Sequence, residues 1–167
     1  MNAPTPLLDL ATQTARAHQL DPALVCAVVE QESAWNPWSM RYEPAFFSKY
    51  VAPQYTSNKF SASEAYARAF SWGLMQIMGE VAREFGFGGM FLSNLCDPIV
   101  GLDWGCRKLA KCLANAQGDV PRALIAWNGG SNQYYAAEVQ ARIPTYRVGQ
   151  ELGNNSNEVQ QAAAGEN

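Results

Sequence analysis

The chain has 167 residues, enough for one domain with a substantial core and too few for two comfortable ones. Its hydrophobic fraction of 48% is ordinary for a globular protein and its net charge is −3 with no basic patch, which argues against a nucleic-acid partner and against electrostatic capture of an anionic surface. No apolar run approaches the roughly 18 residues of a membrane span, and the opening Met1-Asn2-Ala3-Pro4-Thr5-Pro6 lacks the basic and apolar stretches of a signal peptide, so a soluble chain is expected.

Nearly every segment reads as helix. Leu7, Leu8, Ala11 and Ala15 make a short apolar stripe. Asp21-Pro22 has the form of an N-cap followed by proline at the first helical position, and Leu24, Val25, Val28 and Val29 then share one face. Residues 34–60, rich in aromatics, Pro, Ser and Asn, break the period, and a long aromatic-rich loop is expected there. Ser61-x-x-Glu64 reads as a capping box opening a helix through about residue 70. Leu74, Ile77, Met78, Val81, Ala82 and Phe85 follow the i, i+3, i+4, i+7 spacing of an amphipathic helix, with Gly86 as its C-cap.

Asp97-Pro98 starts the next helix as Asp21-Pro22 does, with Ile99, Leu102, Cys106, Leu109 and Leu113 as its stripe and Gly118 at its end. A helix from about Val120 to Trp127 stops at Asn128-Gly129-Gly130, and another from about Asn132 to Ile143 is stopped by Pro144. The expectation is one all-α domain over residues 1–152 and a flexible tail over residues 153–167, which is dominated by Asn, Gln, Ala and Gly.

Cys26, Cys96, Cys106 and Cys112 form no CxxC pair, and His18 is the only histidine, so no metal site is expected. Cys106 and Cys112 lie about 240° apart on a shared helix and cannot bridge; four buried thiols are favoured over a disulfide.

Glu30 and Glu32 close the second helix. Glu32 falls within the arc of Leu24, Val25, Val28 and Val29, whereas Glu30 points about 160° away, toward solvent or a polar contact. A carboxylate on an apolar face is costly to ionise, an environment that suits a general acid; the competing reading is a frayed last turn with Glu32 pointing outward. The surrounding residues shift that balance. Gln31-Glu32-Ser33-Ala34-Trp35-Asn36-Pro37 resembles the Glu-Ser motif of the soluble-type lytic transglycosylases, a family related to goose-type lysozymes. Gly73-Leu74-Met75-Gln76 matches that family's Gly-Leu-Met-Gln motif, Ala126-Trp127-Asn128-Gly129-Gly130 resembles its Ala-Tyr-Asn-x-Gly motif, and Ile143-Pro144-Thr145-Tyr146 resembles its late tyrosine segment. The motifs occur in the family's order and the resemblance spans about residues 10–150.

The resemblance implies a lysozyme-like helical fold and an enzyme acting on the glycan strands of peptidoglycan, with no cofactor. It implies that Glu32 protonates the glycosidic oxygen between N-acetylmuramic acid and N-acetylglucosamine, then takes the proton of the muramoyl C6 hydroxyl as that oxygen closes on C1, leaving a 1,6-anhydro end. Ser33 would hydrogen-bond near the acid or the sugar, or else cap the helix end. Met75 and Gln76 would line the groove, Gly73 would permit close backbone approach, and Asn128 would form groove wall or a C-cap. Tyr146 would place its hydroxyl on Glu32, with Tyr134 and Tyr135 as the alternatives. Trp127 stands where the family has tyrosine, and Gly79-Glu80-Val81-Ala82 lacks the usual threonine or proline, so a sugar contact is expected to differ.

The stretch between Ser33 and Gly73 is longer than in common bacterial members. Its Trp38, Tyr42, Phe46, Phe47, Tyr50, Tyr55 and Phe60 either wall the cleft, since rings stack on sugars, or anchor the segment from beneath; anchoring is favoured. A hydrolytic muramidase is the second reading, with Glu43 as the carboxylate that activates water; its simpler role is an ion pair with Arg41. A non-catalytic peptidoglycan-binding module is the third, opposed by the joint presence of Glu32, Gln76 and Asn128. A monomer is expected, made in the bacterial cytoplasm and reaching the wall through bacteriophage lysis, a virion or another route.

Overall fold

The computed structural model describes residues 4–57, 59–130 and 132–147; the expected tail lies outside them. Helix α1 (Thr5–Ala17) lays Ala11 and Ala15 against α2 (Pro22–Ser33), whose first turn is closed by the Asp21 carboxylate accepting the Ala23 N–H at 2.9 Å. Helix α2 has no polar side until its last turn: every residue from Ala23 to Val29 is buried, so it runs through the core. The apolar arc read from sequence is therefore part of a helix buried all round, and it is the position at the last turn that brings Glu32 to the surface of the core. The helix stops because Ala34 (φ 48°) and Trp35 (φ 66°) both adopt the left-handed conformation, which turns the Trp35 ring back inward.

Residues 34–60 are not a loop. They hold strand β1 (Met40–Tyr42) and a broken helical run: α3 (Pro44–Phe46), a π-helical turn (Phe47–Val51) and α4 (Ala52–Thr56). Pro44 and Pro53 each sit in a first turn, where the missing N–H costs nothing, and the wide π turn joins the two pieces. Tyr42, Phe46, Phe47 and Phe60 pack on a small separate core of Val51, Ala65 and Ala69, as anchors; Phe46 and Tyr50 also line a cleft, and Trp38 is 74% exposed. Helix α5 (Ala62–Arg68) starts on Ser61, whose Oγ accepts the Glu64 N–H at 3.2 Å. The Glu64 carboxylate pairs instead with Arg83 (2.7 Å) and Arg68 (3.0 Å). Burial pushes Glu64 upward, but the two guanidiniums outweigh it and hold it below the usual carboxylate value. Arg68 also meets Glu80 at 3.1 Å, and Glu80, only 5% exposed, accepts from Gln54 at 2.9 Å, tying the inserted segment to the body.

The amphipathic helix expected over 74–85 begins only at α6 (Gly79–Glu84). Before it lie strand β2 (Phe70–Trp72), a tight turn and strand β3 (Ile77–Met78). Together with β1 they form an antiparallel sheet of order β1-β2-β3, with Arg41 opposite Ser71 and Ser71 opposite Met78. Gly73 (φ 68°) and Gln76 (φ 46°) exclude a helix here, and a Cβ on Gly73 would sit 2.2 Å from the Leu95 carbonyl oxygen. Leu74, Met75 and Ile77 all enter the core from this turn, which mimics a helical period in the sequence.

A short 3-10 turn (Leu92–Cys96) leads into α7 (Pro98–Asn115), capped by Asp97 accepting the Ile99 N–H at 2.9 Å. Leu102, Cys106 and Leu109 face the core, but Ile99 is exposed. Helix α8 (Val120–Trp127) starts on Asp119. The last helix, α9 (residues 135–147), does not stop at Pro144. The proline falls on an exposed side with residues 140 and 141, where water can satisfy the carbonyl that loses its partner, and the turn beyond it seats Tyr146 in the core. Cys26, Cys96 and Cys106 are buried, Cys112 is half-buried, and none is bonded; burial pushes the Cys26 and Cys106 thiols up to about 12. Among the described residues no helix is long and apolar enough to cross a membrane.

Candidate active site

A cleft of about 470 Å³ separates the body from the inserted segment. Glu32, Lys108 and Trp127 come from the ends and sides of α2, α7 and α8; Arg41, Glu43 and Gln76 come from the sheet side. Glu32 is half-buried in the last turn of α2. Its Oε1 accepts two hydrogen bonds, from the Trp127 indole N–H at 2.8 Å and from the Tyr135 hydroxyl at 2.6 Å. Trp127 ends α8 and Tyr135 begins α9, and both are buried, so two helices fix the carboxylate. Burial, then the charge of Glu32, push the Tyr135 phenol well above its ordinary value, which keeps it a donor.

Gln76 owes its place to the turn. Its side-chain amide donates to the Ser39 and Gly73 carbonyls, both at 2.9 Å, and its Oε1 accepts from Ser71 at 2.7 Å. These bonds stitch the turn to the chain entering β1 and present Gln76 to the cleft. Asn128 caps α8, lines the cleft and accepts the Asn132 N–H at 2.8 Å. Glu43 also lines the cleft, with its carboxylate on the Arg41 Nε at 2.5 Å. Lys108 donates to the Trp127 carbonyl at 3.0 Å, with its ammonium 4.0 Å from the centre of the Trp127 ring.

Three expected site residues lie elsewhere. Met75 is fully buried against Gly105, where a Cβ would meet its sulfur at 2.2 Å. Ser33 is buried and its Oγ donates back to the Val29 carbonyl at 3.1 Å, a helix-end role. Tyr146 does not reach Glu32: its hydroxyl donates to Glu30 at 2.7 Å and accepts from the Trp35 indole N–H at 2.9 Å. The reason is distance along α9, since eleven residues of helix separate Tyr135 and Tyr146 by about 16 Å. The hydroxyl on Glu32 belongs to Tyr135, and Tyr134 is 64% exposed. Lys108 was not marked by the sequence, where it is one of several polar residues beside the α7 stripe. Among the described residues no cluster of three or more His, Cys, Asp or Glu side chains could hold a metal ion.

A buried central helix ends in a carboxylate at a cleft, with helices packed round it and a small sheet at one side, in an all-α lysozyme-like fold. The family model described as the transglycosylase SLT domain matches residues 9–146, and the chain belongs to that family of peptidoglycan lytic transglycosylases. The match runs from α1 to Tyr146 and so takes in every cleft residue named above. No solved structure matches the chain.

Proposed function

We propose that the protein cleaves the β-1,4 bond between N-acetylmuramic acid and N-acetylglucosamine in peptidoglycan, with Glu32 acting first as acid and then as base. The observation that carries this reading is the convergence of Trp127 and Tyr135 on one oxygen of Glu32 at the cleft. With Oε1 occupied, Oε2 is the oxygen that exchanges protons with substrate. Protonated Glu32 gives its proton to O4 as the C1–O4 bond breaks. The carboxylate then takes the proton from the C6 hydroxyl as O6 bonds to C1. No water is consumed, and a single carboxylate suffices because the nucleophile belongs to the substrate, unlike the usual two-carboxylate glycosidase. Both donors stabilise the anion that exists between the two proton transfers, a role of preorganised dipoles.

A hydrolytic alternative draws on one observation, that Glu43 lines the same cleft as Glu32. Its bond to Arg41 weighs against a free base poised on water. Mass spectrometry of digested walls separates the two: an anhydro muramoyl end is one water lighter than a reducing end. Anhydro ends are expected. Reducing ends as the main product, with activity lost in Glu43→Gln, would replace the first reading with the second.

A further inference from the structure

The cleft contains two cations on its walls in a chain whose net charge is −3. Their situations differ. Arg41 is neutralised by Glu43 at 2.5 Å. Lys108 has no carboxylate within 4 Å among the described residues; its contacts are the Trp127 carbonyl and ring. Burial weakens its hold on its proton, with Cys112 and Glu32 opposing that effect. A half-buried ammonium without an ion-pair partner is costly. The carbonyl and the ring face engage two sides of a group with three N–H donors, so donor capacity remains for a ligand in the cleft. The sugars of a glycan strand are neutral at their hydroxyl and acetamido groups, and the acidic groups of the polymer hang from the muramoyl residue. They are the lactyl carboxylate where the stem peptide is missing, or the carboxylates of the peptide where it is present.

We propose that Lys108 is a substrate-binding residue that takes a carboxylate carried by the muramoyl residue. The inference rests on the transglycosylase reading for its choice of substrate. It explains why a cation without an ion-pair partner lines the same cleft as Glu32, and it makes Lys108 a determinant of which strands are accepted. Trp127 joins the two functions, because its carbonyl and ring hold the ammonium while its indole N–H holds the catalytic carboxylate.

The test uses the full chain, Lys108→Met and Lys108→Arg, on three substrates. These are purified peptide-bearing strands, the same strands stripped of peptide by an amidase, and stripped strands whose lactyl carboxylates have been converted to methylamides. A charge-assisted contact predicts that the wild type prefers its anionic substrate to the methylamide by about 10- to 100-fold in kcat/KM. Preference for stripped strands over peptide-bearing ones assigns the lactyl carboxylate; the reverse assigns the peptide. Lys108→Met should collapse the discrimination toward unity, chiefly through KM, and Lys108→Arg should keep most of it. A wild type indifferent to all three substrates, or a Lys108→Met variant that loses kcat equally on each, would overturn the proposal and leave Lys108 a support for Trp127. Calorimetric binding of the same strands to Glu32→Gln, with and without Lys108→Met, reads the contact without turnover. If the wild type cleaves none of the strands, the catalytic reading fails, while charge-dependent binding still decides the role of Lys108.

Discussion

Glu30 and Glu32 stand two residues apart in one helical turn, and a phenol and an indole serve each, in different arrangements. At Glu32 both donors act in parallel on Oε1, Tyr135 at 2.6 Å and Trp127 at 2.8 Å. At Glu30 they act in series: Tyr146 donates to the carboxylate at 2.7 Å, and Trp35 donates to Tyr146 at 2.9 Å. Arg142 stands a further 4.0 Å from Glu30. The first set opens on the cleft and the second does not. The same residue types thus build two different devices. One is a carboxylate with an oxygen left for substrate, and the other is a fastener that joins the end of α9 to α2. Two things set Glu32 apart: it leaves α2 on the side of the cleft, and its partners act in parallel on one oxygen and leave the other for substrate.

The largest expected effect tests that division. Glu32→Gln should remove wall cleavage by about 10²–10⁴-fold or more, because one group serves as both acid and base. Glu30→Gln should keep most of its turnover and lose stability instead. Turnover on purified walls and melting temperature, measured on both variants, check the pair. A folded Glu32→Gln enzyme with near-normal turnover would end the assignment, and an essential Glu30 would invert it.

The next two predictions sharpen the parallel set. Tyr135→Phe removes one hydrogen bond to a charged group, worth about 1.5–3 kcal/mol, and should lower kcat by about 10- to 100-fold. Trp127→Phe keeps a ring under Lys108 but loses the indole donor; with Tyr135 still on Oε1, a loss of about tenfold or less is expected. Their double variant should fall short of Glu32→Gln but below either single change. Additive losses would show two independent donors, and a double variant no worse than Tyr135→Phe would show that only the phenol matters.

Much of this is legible in the amino-acid sequence. Asp21, Ser61 and Asp97 cap helices as their spacing foretells, because capping is settled within three residues. Glu32, Gln76, Trp127 and Asn128, each singled out in the motifs, line one cleft. What failed depends on contacts distant in sequence. The turn at Gly73–Gln76 carries an apolar spacing that a helix would also carry, and only the closeness of Leu95 to Gly73 reveals it. Residues 34–60 read as a loop from their composition, yet Pro44 and Pro53 there lie in the first turns of short helices. Choosing Tyr135 over Tyr146 required knowing that α9 begins at 135 and where it crosses α2, which no local pattern encodes. Lys108 is a lysine beside an apolar stripe until Trp127 is packed beneath it.

The smallest expected effect on catalysis is the one that best isolates the series set. Tyr146→Phe keeps the ring, which lies 6.0 Å from that of Trp35, and deletes the hydroxyl shared by Glu30 and Trp35. Turnover should stay within about twofold of wild type, since nothing at the cleft moves. Stability should drop by about 1–3 kcal/mol, the cost of leaving a carboxylate and an indole N–H short of a partner, and the melting temperature by several degrees. The pH dependence carries a second signature. Burial, then the hydrogen bond to Glu30, raise the Tyr146 phenol above its ordinary value. A group raised on folding contributes fully below its unfolded value, about 10 for tyrosine, and that contribution is lost as pH climbs from there through the folded value. Tyr146→Phe should therefore lessen the alkaline loss of stability while lowering the neutral plateau. Chemical denaturation at pH 7 and at pH 10.5 measures both. If Tyr146→Phe instead cuts turnover as deeply as Tyr135→Phe and leaves stability untouched, the fastener is part of the catalytic set, and the contrast between the two glutamates does not hold.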